Sequence, residues 1–121
     1  MLFDTSMLAL QQSISGAAQR QQALAANIAN ASTPGYQRVD VDFHDALAAA
    51  MGSSDPDKTI QDTSFQTVAD RSIGPVAADG SGIDIDAESA KLAQNTLDQE
   101  TAVSVLHTRM AILRSAMGIS S

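Results

Sequence analysis

The sequence predicts a mainly α-helical chain. Long N- and C-terminal helices pair as a coiled-coil hairpin around a short irregular or small-β, partly flexible middle. Three observations carry that prediction. Apolar residues recur in alternating steps of four and three at both ends, charged residues gather between those ends, and a Pro-Gly turn closes the first helical run.

The N-terminal stripe runs Phe3, Met7, Leu10, Ile14, Ala17, Leu24, Ile28 and Ala31, with Gln21 filling its interrupted position. The mean step of about 3.5 residues is that of a heptad seam. The other faces are largely Ala, Gln and Ser, mostly good helix formers, and from Thr5 to Pro34 the only charged side chain is Arg20. Asn30 to Gly35 ends the helix, because Pro34 restricts Thr33 to extended geometry and Gly35 turns at positive φ.

The middle is acidic. From Val39 to Asp98 twelve acidic residues stand against Lys58, Arg71 and Lys91. Val39 to Phe43 alternates apolar and acidic residues, as a short extended segment does. Phe43 to Met51 reads as a brief Ala-rich helix, and Gly52 to Lys58 as a loop by composition. Between Thr59 and Ala78 the apolar residues Ile60, Phe65, Val68, Ile73 and Val76 are scattered. They suffice for a small hairpin or for disorder, but not for an independent core.

The C-terminal helix begins near Asp84 or Asp86, either of which can N-cap, while Asp86 and Glu88 suit the positive end of the helix dipole. Its seam is clearest at Val103, Leu106, Met110, Leu113 and Met117. Arg109 and Arg114 lie near the C-terminal end, where the dipole favours cations, and the helix ends around Gly118. The chain thus divides into a heptad helix with its turn (1–35), an acidic linker with a short helix (36–82) and a C-terminal helix (83–121), together one domain.

The simplest burial is for the two seams to cover each other. The uncharged Ala, Gln and Ser faces let other subunits approach without desolvating charge; alternatively, such helices are soluble alone. Gln21 in the seam limits premature self-pairing or fixes register.

Composition narrows the function. The chain has 121 residues and a net charge of −7, an acidity that argues against nucleic acid or anionic lipid as the main partner. It contains no Cys, no Trp, one Tyr and three Phe, so thiolate chemistry and Cys-ligated metals are excluded. The longest apolar run, Ala46 to Met51, is too short to span a bilayer, and no basic segment precedes an apolar stretch as in a cleavable secretory signal.

No enzymatic constellation emerges. His44 beside Asp45 lacks further residues at metal-ligand spacing. His107 on the C-terminal helix admits a phosphorelay or adaptor reading, against that of a residue at the seam boundary. Asp84, Asp86 and Glu88 alternate like calcium ligands but do not fit the twelve-residue loop. Gly80-Ser81-Gly82 lacks the strand and third glycine of a phosphate loop, and no Ser has an elbow motif around it. No cofactor or metal is expected.

The informative stretch is Leu24-Ala25-Ala26-Asn27-Ile28-Ala29-Asn30-Ala31-Ser32-Thr33-Pro34-Gly35-Tyr36. Asn27 and Asn30 stand one turn apart, followed by a fixed turn and a single aromatic residue. This run resembles the signature of the flagellar axial proteins, the rod, hook and hook-associated family. Val39 to Leu47, Asp79 to Glu88 and Lys91 to Asn95 resemble the proximal rod subunits of that family. Ser81, where those subunits often have Asn, and the lack of an aromatic near Gln99 depart from their pattern, as the missing Tyr-x-Ala-Asn ending departs from that of a sister rod subunit.

The resemblance implies a structural subunit, not an enzyme, that self-assembles through its terminal helices into the periplasmic rod of the basal body. Implied partners are other rod subunits, the basal-body export and ring junction, and the type III export apparatus, with no nucleic acid and no membrane insertion. Export would proceed without a cleaved signal. Phe43 and Leu47 have the Phe-x-x-x-aliphatic form of export-gate recognition; the alternative is a buried pair on a short helix.

Overall fold

The computed structural model describes residues 4–69 and 83–118. α1 (Thr5–Ala29) opens where the Asp4 carboxylate accepts the Met7 N–H at 2.9 Å, the usual way of satisfying a first-turn donor. It closes at Asn30, whose N–H reaches the Ala26 carbonyl at 3.0 Å. The chain then turns through Thr33–Tyr36: the Tyr36 N–H donates to the Thr33 carbonyl at 3.2 Å, with Gly35 at φ +75°. Pro followed by a positive-φ Gly is the form of a type II turn.

The turn delivers β1 (Val39–Val41), followed by α2 (Phe43–Met51), α3 (Pro56–Asp62), β2 (Thr67–Ala69) and α4 (Ile85–Ala116). Asp42, Asp55 and Asp84 cap the three later helices. β1 and β2 pair antiparallel, with Val39 opposite Ala69 and Val41 opposite Thr67. α4 ends one residue before Met117, and Gly118 follows at φ +70°. Of the two candidate caps, Asp84 is the one used, accepting the N–H groups of Asp86 and Ala87.

The long helices pack antiparallel, as the seams predict. α1 lies at the centre, with α4 along one side and β1, α2 and α3 along another. The compact core sits on that second side: Ala17, Ala23, Val41, Phe43, Leu47, Ala50, Ile60 and Phe65. Phe43 meets Phe65 edge to face at 6.0 Å. Its ring sits so close to α1 that a Cβ on Gly16 would lie 2.6 Å from the Phe43 Cβ and Cγ atoms. Glycine is what permits this approach.

The described part of the middle, residues 39–69, is therefore more ordered than composition implies. α3 occupies part of the segment read as a loop, because Asp55 caps it, Pro56 starts it with a preset φ, and Ile60 anchors it in the core. Ile60 and Phe65, sparse in sequence, gather around Phe43, so α1 supplies the surface that they lack by themselves. The strands do not form a local hairpin; they bracket the α2–α3 pair. Phe3, Ile73, Val76 and the Gly80-Ser81-Gly82 segment lie outside the described residues.

Candidate assembly surface and the clasp that positions it

The signature end of α1 is tied down by a buried polar clasp. Asn27 is fully buried, and its side-chain amide donates to the Val39 carbonyl at 2.7 Å and to Glu88 Oε2 at 3.0 Å, while its oxygen accepts the Val39 N–H at 3.0 Å. One side chain thereby holds α1, β1 and α4 together. Arg38, 5% exposed, pairs through Nε with Glu88, 2% exposed, and through a terminal nitrogen with Asp40 at 3.1 Å. Arg20 of α1 reaches Asp40 from the other side at 2.9 Å. Lys91 stands 3.8 Å from Glu88 at the solvent edge.

The electrostatics follow from these contacts. Burial opposes the Arg38 charge, but hydrogen bonds to Glu88 and Asp40, with the charges of both carboxylates, outweigh it and hold the guanidinium above its usual range. Burial also works against the Asp40 charge. The Arg20 and Val41 hydrogen bonds and the two guanidinium neighbours prevail, and its carboxyl is held below the ordinary value.

The two signature asparagines thus do different work. Asn27 is the hub of the clasp, whereas Asn30 caps the helix end, its side-chain amide donating to the Ala26 carbonyl at 2.9 Å and its oxygen accepting the Thr33 hydroxyl at 3.2 Å. Thr33, Pro34 and Gly35 are exposed and Tyr36 is half-buried.

The profile of the family described as flagella basal body rod protein matches residues 3–37. A FlgB flagellar basal body rod protein of Escherichia coli K12 is 33% identical over 118 residues, which cover 85% of this chain and 86% of that one. The FlgB protein of Salmonella typhimurium is 30% identical over 122 residues, covering 88% of each. That of Cereibacter sphaeroides is 32% identical over 111 residues, covering 81% of this chain and 82% of its own.

This chain belongs to the FlgB family of flagellar basal body rod proteins. It is a structural subunit of the rod, and the family is not enzymatic. Among the described residues no group of three or more His, Asp or Glu is placed to hold a metal, and no helix is long and apolar enough to cross a membrane. His44 is exposed and stacks on Phe43 at 4.1 Å, and His107 is exposed on α4.

In this FlgB-family subunit, the residues of the sequence-derived stripes are distributed unevenly. Met7, Ala17, Leu24 and Ala31 are buried, and Leu10, Ile14 and Ile28 are half-buried. On α4, Val103, Leu106, Met110 and Leu113 are half-buried and Met117 is exposed. The polar contacts that α4 makes to α1 come from other residues. Glu88 meets Asn27, Asn95 donates to the Ala17 carbonyl at 2.8 Å and to Gln21 Oε1 at 3.1 Å, and Arg109 pairs with Asp4 at 3.3 Å. Outward of these residues α4 exposes Leu97, Val105 and Ile112, and Met117 is exposed just past its end. An open groove of about 280 Å³ lies between Leu10 and Ser13 of α1, Phe43 and His44 of α2, and Thr101 and Val105 of α4.

Sequence reasoning gave Arg38, Asp40 and Asn95 no role in a polar clasp, and took Glu88 for a dipole-favoured residue at the helix start. One signal was available: Arg38 is the sole cation between Arg20 and Lys58, and it directly follows the signature turn. Phe43 and Leu47 are both buried in the core.

Proposed function

We propose that this subunit is built into the periplasmic rod through the outward faces of its terminal helices, which pack against further copies and against other rod subunits. The observation that carries this reading is the exposed apolar set on α4. Leu97 is 57% exposed, Val105 42%, Ile112 62% and Met117 50%, and from Thr101 onward the only charges are Arg109 and Arg114. Grouped apolar exposure of this kind marks an interaction surface. Leu10 of the α1 stripe, half-buried, lines a groove with Val105 beside this surface.

The finer reading places the subunit at the junction of rod, export apparatus and ring, reached by type III export without signal cleavage. Phe43 and Leu47 then serve as an export-gate segment only while the chain is unfolded, since folding buries both. Leu24 is wholly buried within the chain, so Leu24→Asp tests folding; substitutions on the outward face of α4 test assembly.

The experiment is complementation of a strain deleted for its own FlgB-type subunit. The parent chain should restore motility and rods extending beyond the inner-membrane ring, seen by electron microscopy of isolated basal bodies. Val105→Asp with Ile112→Asp should restore neither. Full motility in the double variant would reject the surface. Intact mass of the chain from purified basal bodies should equal that of the uncleaved translation product; a shortened chain would reject export without cleavage.

A further inference from the structure

α4 has two lines along which it can pair with α1. Glu88, Asn95, Ala102 and Arg109 follow one another at intervals of seven, and three of them, Glu88, Asn95 and Arg109, make polar contacts to α1. One residue further round, about 100° on the helix, lie Thr96, Val103, Met110 and Met117. Leu106 and Leu113 stand between and serve either line. A roll of α4 by one residue would keep both leucines in the seam and exchange Ala102 and Arg109 for Val103 and Met110. Apolar burial alone favours the rolled arrangement, yet Glu88 and Asn95 are the buried residues of α4 while Val103 and Met110 stay half-buried.

What opposes the roll is a polar layer. Asn95 is fully buried, donating to the Ala17 carbonyl at 2.8 Å and to Gln21 Oε1 at 3.1 Å, and the Thr96 hydroxyl reaches the same Gln21 oxygen at 3.3 Å. Gln21 is the one polar position in the α1 stripe. Rolling α4 would pull Asn95 away from both acceptors and strand amide groups in an apolar seam. The layer is not cost-free, because Asn95 Oδ1 is buried without a partner and buried unsatisfied acceptors destabilise.

We propose that the Gln21–Asn95 layer is a register lock. It gives up stability to hold α4 in the rotation that buries Asn95 and keeps Val103 and Met110 half-buried at one flank instead of central in the seam. Single polar residues at coiled-coil seam positions act in this way. The inference rests on the assembly reading only for what the flanking side chains meet; the rotation itself is a property of the isolated chain.

The test is the Gln21→Leu, Asn95→Leu double variant, with Gln21→Asn, Asn95→Gln as the exchange that keeps a polar layer. The Leu pair should melt higher by roughly 4 °C, the scale expected for losing one buried unsatisfied group from a chain of this size. Its α4 amide resonances should double or move as a set, reporting a second rotation. The exchanged pair should retain one set near the parent positions. A lower melting temperature in the Leu pair would overturn the proposal, as would unmoved α4 resonances. Doubled resonances in the exchanged pair would also overturn it, since shape and not polar pairing would then set the rotation. Motility of the Val105 and Ile112 variants tests assembly separately, so either reading can fail without the other.

Discussion

The two ends of the α1–α4 pair are built on opposite principles. At the signature end, Arg38, Glu88 and Asn27 are buried and joined to one another across α1, β1 and α4. At the other end, Val105, Ile112 and Met117 stand in water, and the visible tie across the helices is the exposed Asp4–Arg109 pair at 3.3 Å. A self-sufficient globule does the reverse, burying aliphatic side chains and exposing charges. The contrast separates two tasks. The clasp fixes the direction in which the chain leaves α1 and the position of α4, and the apolar end is left for whatever lies alongside.

The sharpest way to break the comparison is to leave the clasp half-made. Arg38→Leu strips Glu88 of its buried partner, and removing one member of such a pair costs about 3–5 kcal/mol. Lys91, 3.8 Å from Glu88 and largely exposed, recovers only part of that. Urea unfolding should show the loss. Arg38→Leu combined with Glu88→Leu should be less damaging than the single change, because no charge then stays buried alone. A double variant worse than the single would mean that the pair itself, not the stranded carboxylate, dominates.

The next largest effect lies where α1 meets α2. A Cβ at Gly16 would sit 2.6 Å from Phe43 side-chain atoms, so Gly16→Ala should lower stability by about 1–3 kcal/mol through overpacking, although alanine favours the helix. Thermal melting decides it: an unchanged or raised midpoint would show that Phe43 is free to withdraw. This substitution disturbs the core side of α1 and should leave the contacts of α4 intact.

A smaller and more specific effect is that of acid on the clasp. The Asp40 carboxyl is held below its ordinary value of 3.8. A carboxyl depressed on folding stabilises the folded state above its unfolded pKa, and that contribution disappears as the pH falls through the folded value. Asp40→Asn removes it at every pH. Parent and variant should therefore differ in stability at neutral pH and converge as the pH drops below about 3.8. A constant difference across the titration would place the effect of Asp40 in packing instead of charge.

Much of this architecture is legible from residue order, and the parts that are not share a cause. The terminal helices announce themselves through steps of four and three, and Asp84, Pro34, Gly35 and Gly118 mark their limits in the sequence. α3 does not, because seven residues with one buried apolar side chain, Ile60, carry no periodicity. The clasp does not, because Asn27, Arg38 and Glu88 lie far apart in the chain and each has an ordinary local explanation. The face of α4 that meets α1 is the instructive case. Pattern reading picks the apolar seam Val103, Leu106, Met110, Leu113 and Met117, and it says nothing of the polar contacts that Glu88, Asn95 and Arg109 make to α1. Hydropathy ranks faces by their burial in any apolar surface; it is blind to a hydrogen bond with one particular Gln21.

The smallest expected change in stability falls at the far end of the comparison. Ile112 is 62% exposed on the last turns of α4, so Ile112→Ser removes little buried surface and should alter folding stability by no more than about 0.5 kcal/mol. If the outward face of α4 belongs to neighbouring subunits, the same change removes apolar contact at an interface repeated with every subunit added, and motility in a complemented deletion strain should fall sharply. The pairing of the two readouts gives the test its force. A stable variant that no longer supports swimming separates assembly from folding at one residue, whereas Arg38→Leu cannot, because it damages both. A stable variant that swims normally would show that Ile112 meets only water in the finished rod, and the surface would have to be sought on the Leu97 side of the helix.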